Sequence, residues 1–283
     1  MLYSAEIFLI ELIPANKMKS DSVHLEVTSL TDPGRVRALN EDAVAVDGES
    51  GFAVVADGMG GHRAGDVASR MALESVVERL RRQSRAPSPQ RFAEQSIAAA
   101  NFTVLSAARA KAEFKGMGTT LAMVFMHGQR AILAHVGDSR IYRLRKGSLE
   151  LLTRDDTLLH DQLEQGLIGI EDAGDSHNRH MVTQALGIHE QITVHLHEED
   201  VRRGDIYLLC TDGLNDLVDD KDIEVIIEAL KTNLPLAAFH LVQLANDNGG
   251  YDNITVALIR VLNDAPTEIR PGWLSRLRNW MTS

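Results

Sequence analysis

Apolar and polar positions alternate with period two over many short stretches of the chain. Val23, Leu25 and Val27 alternate with polar residues, and Val44 and Val46 do so after a turn-rich stretch. Gly51 to Ala56 is a short apolar run that ends at Asp57. Residues 119–126 and 130–136 are two further runs, joined by the hairpin-length loop His127-Gly128-Gln129. Arg140 to Leu144, Ile192 to Leu196, Ile206 to Cys210 and Ile254 to Leu262 complete the strand signals. Helical spacing governs other stretches. From Asp66 to Arg82 the apolar residues Val67, Met71, Leu73, Val76, Val77 and Leu80 fall at helical spacing, and Pro87 and Pro89 break the chain after them. The Ala-rich stretch Phe92 to Phe114 predicts a second long helix, and 219–230 and 235–246 fit two more. Strands cluster and helices come in pairs between the clusters, which is not the regular order of a doubly wound sheet. The pattern predicts antiparallel sheets with helices packed outside them.

No repeat or linker interrupts the chain before Pro266, so 23–263 reads as one domain. Residues 1–22 precede it as an extension, of which 1–17 is either dispensable or an added edge strand, and 264–283 follow as a tail. The polar stretch 153–181 reads as a surface lobe, either a solvated insertion or a cover over a site. In the tail, Pro271 can start a helix in which Trp273, Leu274, Leu277, Trp280 and Met281 share a face. That face either packs back on the domain or docks a partner protein or an anionic membrane.

Composition narrows the function classes. The chain has 283 residues, 44% hydrophobic and 24% charged, which excludes a mainly disordered protein. Its net charge of −11 and 5% aromatic content argue against nucleic acid as a partner. One cysteine, Cys210, excludes an internal disulfide and a multi-cysteine zinc site. The segment Ile7 to Ile13 is interrupted by Glu11, preceded by Glu6 and by no Lys or Arg, so it does not read as a signal peptide. A soluble, cytoplasmic monomer is the expectation.

Four aspartates share a setting. Asp57, Asp138 and Asp212 each end an apolar strand beside a glycine, and Asp252 stands two residues before the strand that starts at Ile254. A carboxylate at a strand end is held by the sheet yet reaches its rim, and a neighbouring glycine lets backbone approach a ligand. Asp-Gly alone is a common turn. Four such carboxylates in one domain form an oxygen-only set that suits Mg²⁺ or Mn²⁺ better than zinc. A pair of such ions can activate a water and clamp a phosphoryl group.

The ordered motifs resemble a known family. Gly34-Arg35-Val36-Arg37-Ala38-Leu39-Asn40-Glu41-Asp42 is similar to its opening motif, and Asp57-Gly58-Met59-Gly60-Gly61-His62 with Gly65 and Ala68-Ser69 to its second. Gly116-Met117-Gly118-Thr119-Thr120, Val136-Gly137-Asp138-Ser139-Arg140, Thr183-Gln184-Ala185-Leu186-Gly187, Cys210-Thr211-Asp212-Gly213-Leu214 and Asp252-Asn253-Ile254-Thr255 follow in order. Over roughly residues 23–262 the chain resembles the metal-dependent, type 2C serine/threonine protein phosphatases in their compact bacterial form. The resemblance implies an α+β fold, a four-layer α-β-β-α sandwich of two antiparallel sheets flanked by helices, with 153–181 as a flap. It implies two core Mn²⁺ or Mg²⁺ ions and a third, weaker position. Asp57 would bridge the core pair with the Gly58 carbonyl on one ion, and Asp212 and Asp252 would hold the other. Asp138 would join Asp212 at the third position, while Glu41 and Asp42 would position metal-bound waters. Arg37 would grip the substrate phosphate. A metal-activated water would attack phosphorus without a phosphoenzyme, the substrate would be a phosphorylated protein, and a serine/threonine kinase would be the counterpart.

Some positions depart from the family pattern. Asp66 stands where Glu is usual, and Asp156 where a His is common in the approach to the flap. Some members carry a catalytic His at the position of Met59. His62 lies close by and reads either as the general acid or as a structural hydrogen bond at the start of a helix. Cys210 lacks the Arg six residues on that a cysteine phosphatase needs, since Asp216 is there, and reads as a buried small hydrophobe. Arg140 and Ser139 read as an orienting salt bridge or as substrate contacts. His195 and His197 read as the exposed side of a strand or as a metal pair. No P-loop is present. Rival readings are a non-catalytic phosphoprotein-binding module on the same fold and a hydrolase of small phosphoesters.

Overall fold

The computed structural model describes residues 23–60, 64–82, 88–168 and 181–263. Its strands are β1 (Leu25–Asp32), β2 (Asp42–Asp47), β3 (Phe52–Met59), β4 (Gly118–Thr119), β5 (Leu121–His127), β6 (Arg130–Val136), β7 (Arg140–Arg145), β8 (Ser148–Leu151), β9 (His195–Asp200), β10 (Ile206–Cys210) and β11 (Ile254–Val261). Its helices are α1 (Ala64–Leu80), α2 (Pro89–Ala110), α3 (Leu158–Glu164), α4 (Asp212–Asn215), α5 (Asp220–Leu230) and α6 (Leu234–Asp247). One sheet has the order β1-β11-β10-β7-β8, and the other β2-β3-β5-β6-β9 with β4 paired to β3. Every pairing is antiparallel.

Three apolar layers hold the sandwich together. Val55, Val124, Leu133, Tyr207, Leu209 and Ile259 meet between the sheets. Val54, Met123, Phe125 and Ile132 face the opposite way, against Val76 and Leu80 of α1 and Ile97 and Val104 of α2. On the other sheet, Leu208, Val256 and Leu258 pack under α5 and α6. Successive residues such as Val54 and Val55, or Leu208 and Leu209, thus serve two different layers. This is why the central strands read as continuous apolar runs rather than as alternation. Each fully buried large side chain contributes on the order of 1.5–3 kcal/mol. The four layers are the expected α-β-β-α sandwich, with α3 on the expected flap.

Local chemistry sets the helix ends. Pro89, which breaks the helical pattern, also opens α2, where its missing N–H costs nothing. Asn233 caps α6 by accepting the Leu236 N–H, and Thr157 caps α3 by accepting the His160 N–H. Both strands that the pattern misplaced lie at sheet edges. The strand expected over Ile192 to Leu196 begins at His195 instead and runs to Asp200. Its Glu198, Glu199 and Asp200 hide the strand period while discouraging edge pairing with another chain. The largely exposed β8, whose alternation of Leu149 and Leu151 spans only four residues, was not anticipated.

Several sequence expectations lie outside the described residues: the extension 1–22, the tail helix of 264–283, residues 169–180 of the flap, and His62. Among the described residues, no helix is long and apolar enough to cross a membrane.

Candidate metal centre

The antiparallel registers bring one end of each sheet together. In the first sheet, Asp32 pairs with Ile254 and Cys210 with Arg140. In the second, Asp42 pairs with Asp57 and Leu121 with Val136. The segments that carry Asp57, Asp138, Asp212 and Asp252 therefore leave the sandwich at the same end. Asp42 ties the two sheets together there. Its Oδ2 accepts the Thr211 hydroxyl at 2.9 Å and the Thr255 hydroxyl at 2.6 Å, both from the facing sheet. Asn40 donates to Thr31 at 2.8 Å, and Thr31 and Thr255 share a 2.7 Å hydroxyl contact, which extends the network outward.

Each expected residue has a definite placement. Asp57 is fixed through its backbone: its N–H donates to Thr120 Oγ1, and its carbonyl accepts from Thr120 N and Thr119 Oγ1. Gly58 lies where β3 meets α1, and a Cβ there would stand 2.1 Å from the Gly65 carbonyl oxygen. The small buried face of α1, Ala64, Gly65, Ala68 and Ser69, permits that approach. Ser69 Oγ donates to the Glu41 carbonyl at 2.6 Å, and Gly58 N to the same oxygen at 3.2 Å. Asn253 holds Glu41 from the other side, accepting its N–H at 2.8 Å and donating to the Pro33 and Leu39 carbonyls. Asp212 starts α4 directly after Thr211. Asp138 is buried in the turn between β6 and β7.

Electrostatics shows that these carboxylates form one crowd. Burial raises the Asp57 pKa well above the usual carboxylate range, and the charges of Asp42, Asp212, Asp138 and Asp252 raise it further. Burial pushes Asp42 up to about 7 against the pull of its two threonine hydroxyls, with Asp212 and Asp252 adding to the rise. Asp138 is pushed up to about 8, by burial first and then by Asp212 and Asp155. Asp252 answers the crowding with a cation: Arg37 Nη2 lies 2.6 Å from its Oδ2. Arg37 was expected to grip a phosphate; in this structure it stands at the rim of the cluster on Asp252.

The donor set fits hard divalent cations by its chemistry. All the donors are oxygens, and the buried Asp42 Oδ1 has no hydrogen-bond partner. The close approach at Gly58 brings backbone to the rim of Asp57. The fit is not that of a closed cage. Among the described residues, no three His, Cys, Asp or Glu side chains converge at metal-ligand spacing.

The remaining candidates resolve differently. Arg140 makes a two-pronged salt bridge to Asp155, with contacts of 2.6 to 3.1 Å, and so anchors the start of the flap segment rather than facing open space. Ser139 bonds to Thr120. Cys210 is fully buried and burial raises its thiol pKa, as an inert core residue requires. His197 is exposed, whereas His195 stacks on His135 and bonds Asp156 Oδ1 at 2.8 Å. Asp156 Oδ2 accepts the Gly137 N–H, one residue from Asp138. Thr211, Asn253 and Thr255 stand inside the family motifs, and Asp156 stands out only as a departure from the family pattern. Their supporting roles were not read from the sequence, because their partners lie on the facing sheet or on distant loops.

Known proteins share this fold. A family model described as Protein phosphatase 2C matches residues 35–238. The serine/threonine protein phosphatase PstP of Mycobacterium tuberculosis is 36% identical over 242 residues, spanning 84% of this chain but 45% of that protein. The serine/threonine phosphatase stp of Listeria innocua is 35% identical over 235 residues, spanning 81% of this chain and 93% of that protein. The chain thus spans less than half the length of the mycobacterial relative and nearly all of the Listeria one. The crystal structure of the Mycobacterium tuberculosis phosphatase PstP/Ppp superposes with a TM-score of 0.79 at 33% identity, covering 84% of this chain and 99% of that one. The catalytic domain of PstP in complex with two manganese ions gives 0.76 at 34% identity, covering 86% of this chain and 100% of that one.

Proposed function

The chain belongs to the protein phosphatase 2C family, and from that premise we propose that it hydrolyses phosphoserine and phosphothreonine in proteins with the help of two Mn²⁺ or Mg²⁺ ions. The observation that carries this reading is the gathering of Asp57, Asp138, Asp212, Asp252 and Asp42, in which burial and the neighbouring charges raise the pKa values of Asp57, Asp42 and Asp138. Relatives of similar sequence bear the name serine/threonine phosphatase, and one related catalytic domain is described with two manganese ions.

Asp57 and the Gly58 carbonyl would hold the core pair together with Asp212 and Asp252, and Asp138 would serve a third position beside Asp212. Bound divalent ions supply the positive charge that neutralises the cluster and the acidity that turns water into a nucleophile towards phosphorus. The protein's own residues do the rest. Asp42, held by Thr211 and Thr255, keeps Oδ1 available as an acceptor that orients a water. The Glu41 backbone is fixed by Gly58, Ser69 and Asn253, which sets where its carboxylate stands. Arg37, on an exposed loop beside Asp252, is placed to exchange that carboxylate for two oxygens of an incoming phosphate. His62 remains the candidate proton donor to the leaving alcohol. A serine/threonine kinase acting on the same proteins is the implied counterpart.

The test is phosphate release from a phosphothreonine peptide by the purified chain, with added Mn²⁺ and with EDTA. Turnover that requires the metal is expected. Binding of the peptide without turnover in Mn²⁺ would replace the reading with a phosphoprotein-binding module. Efficient hydrolysis of aryl phosphate with none of the peptide would make the chain a small-phosphoester hydrolase.

A further inference from the structure

We propose, resting on the phosphatase reading, that the groove at the C-terminal end of α2 docks an acidic segment of the phosphoprotein substrate. The groove has a volume of about 500 Å³. Leu105 and Ala108 of α2 and Ile188 of the facing loop give it apolar surface, and Arg109, Lys111 and Lys115 surround them. No carboxylate lines it among the described residues. In a chain of net charge −11, Arg109, Lys111 and Lys115, set against the neighbouring Glu190 and Glu113, leave a local excess of positive charge at the groove. Such a patch selects a partner of opposite charge, and the apolar floor accepts the stems of its side chains.

The cations are open to exchange. Lys115 is exposed and forms no ion pair with a described residue. Arg109 pairs with Glu190 at 2.7 Å and Lys111 approaches Glu113 at 3.8 Å, but all four side chains are more than 60% exposed. Pairs this exposed contribute little and yield readily to a better-placed carboxylate.

The groove also connects directly to the metal centre. Gly116 leads through Met117 into β4, and Gly187 follows Leu186. Thr119 of β4 and Leu186 exchange both backbone hydrogen bonds, at 3.0 and 2.8 Å. Thr119 Oγ1 then donates to the Asp57 carbonyl at 2.8 Å. Lys115 precedes Thr119 by four residues, so its Cα lies within about 15 Å of that bridge, at ~3.8 Å per residue. An extended peptide spans such a distance with about four to six residues. A substrate whose phosphorylated residue sits at the carboxylate cluster would have to reach the groove with its own flanking chain, passing around Met117, Thr119 and Leu186, which are fully buried. The overall negative charge works against nucleic acid as the occupant.

The experiment uses the full chain with Mn²⁺ and fluorescent phosphothreonine peptides. These differ only in carrying three Asp, three Ser or three Lys about four to six positions from the phosphorylated residue, on either side. For the wild type, the acidic peptide should show a KM about tenfold below that of the Ser peptide at similar kcat. The difference should narrow as salt rises. Lys111→Glu combined with Lys115→Glu should erase the preference while leaving kcat, aryl phosphate turnover and thermal melting unchanged. Fluorescence anisotropy reads the same preference without turnover. Equal KM values in the wild type, or a preference that survives the double substitution, would overturn the assignment. Loss of binding to anionic vesicles in the double variant, with equal peptide KM values, would overturn it in favour of a lipid surface. If no peptide is turned over but acidic peptides still bind through Lys111 and Lys115, the phosphatase reading fails and the groove assignment stands.

Discussion

Asp42 and Asp57 face each other across β2 and β3, a like-charged pair that a sheet ordinarily avoids. The placement makes sense only for a site that holds positive charge. Replacing Asp57 by Asn keeps the shape and removes one of the repelling charges. We expect Asp57→Asn to lose nearly all phosphatase activity in saturating Mn²⁺. In EDTA at pH 8 the same variant should melt about 2–4 °C higher than wild type, the shift that ~1 kcal/mol of relieved repulsion gives in a chain of this size. Differential scanning fluorimetry checks the second half, and a lower melting temperature would mean that Asp57 is held by partners rather than crowded by like charges. Arg37 calls for a different readout. If it exchanges Asp252 for phosphate, Arg37→Ala should lower kcat/KM on a phosphopeptide by about ten- to a hundredfold, the loss of a charge-assisted contact of ~1.5–3 kcal/mol. Steady-state kinetics on one peptide measures it, and an unchanged value would leave the Arg37–Asp252 pair as a purely structural contact.

At the scale of elements, the central strands and the long helices were legible because burial imposed their apolar patterns. The runs ending at Asp57 and Cys210 mark β3 and β10, and the helical spacing of Val76 and Leu80 marks α1. Two of the four edge strands, β1 and β2, were legible from their alternation. The other two were not, because Glu198, Glu199 and Asp200 break the period of β9, and the alternation of Leu149 and Leu151 in the largely exposed β8 is only four residues long. The four aspartates stood out because strand ends and adjacent glycines are local features. What holds them did not, because Thr211 and Thr255 act on Asp42 from the facing sheet and Asn253 reaches Glu41 across 212 residues of sequence. The junction of β3 with α1 is another tight contact at the site. Gly58→Ala would place a methyl group 2.1 Å from the Gly65 carbonyl oxygen, backbone against backbone. The strand and the helix must separate, at a cost of about 1–3 kcal/mol or more. Urea unfolding should show that loss, and activity should fall even in saturating metal, because Asp57 moves with its strand. A variant of wild-type stability would show that the junction is looser than this geometry.

For the whole molecule, the crowded carboxylates couple stability to both pH and metal. The Asp42 and Asp138 pKa values in the fold, about 7 and about 8, stand above the ordinary 3.8. Asp57 is raised as well. A folded state whose acids have raised pKa values binds more protons than the unfolded chain throughout the interval between the two values. The stability from these groups is therefore fully present below about pH 4, and it is lost progressively as pH climbs through 7 and 8. His135 works in the opposite sense: burial lowers its pKa, so its contribution is present above its ordinary 6.5 and is lost as pH falls below that value. Between pH 6.5 and 8 the carboxylates dominate, and the metal-free protein should lose melting temperature steadily across that window. Divalent cations replace the missing protons, and they bind the deprotonated cluster more tightly as pH rises. In excess Mn²⁺ the melting temperature should therefore flatten or rise over the same interval, so that the gap between Mn²⁺ and EDTA widens with pH. Parallel melts in EDTA and in Mn²⁺ at each half pH unit measure that gap. A gap that is constant with pH would mean that metal binding releases no protons from Asp42, Asp57 and Asp138. The electrostatic account of the cluster would then be wrong.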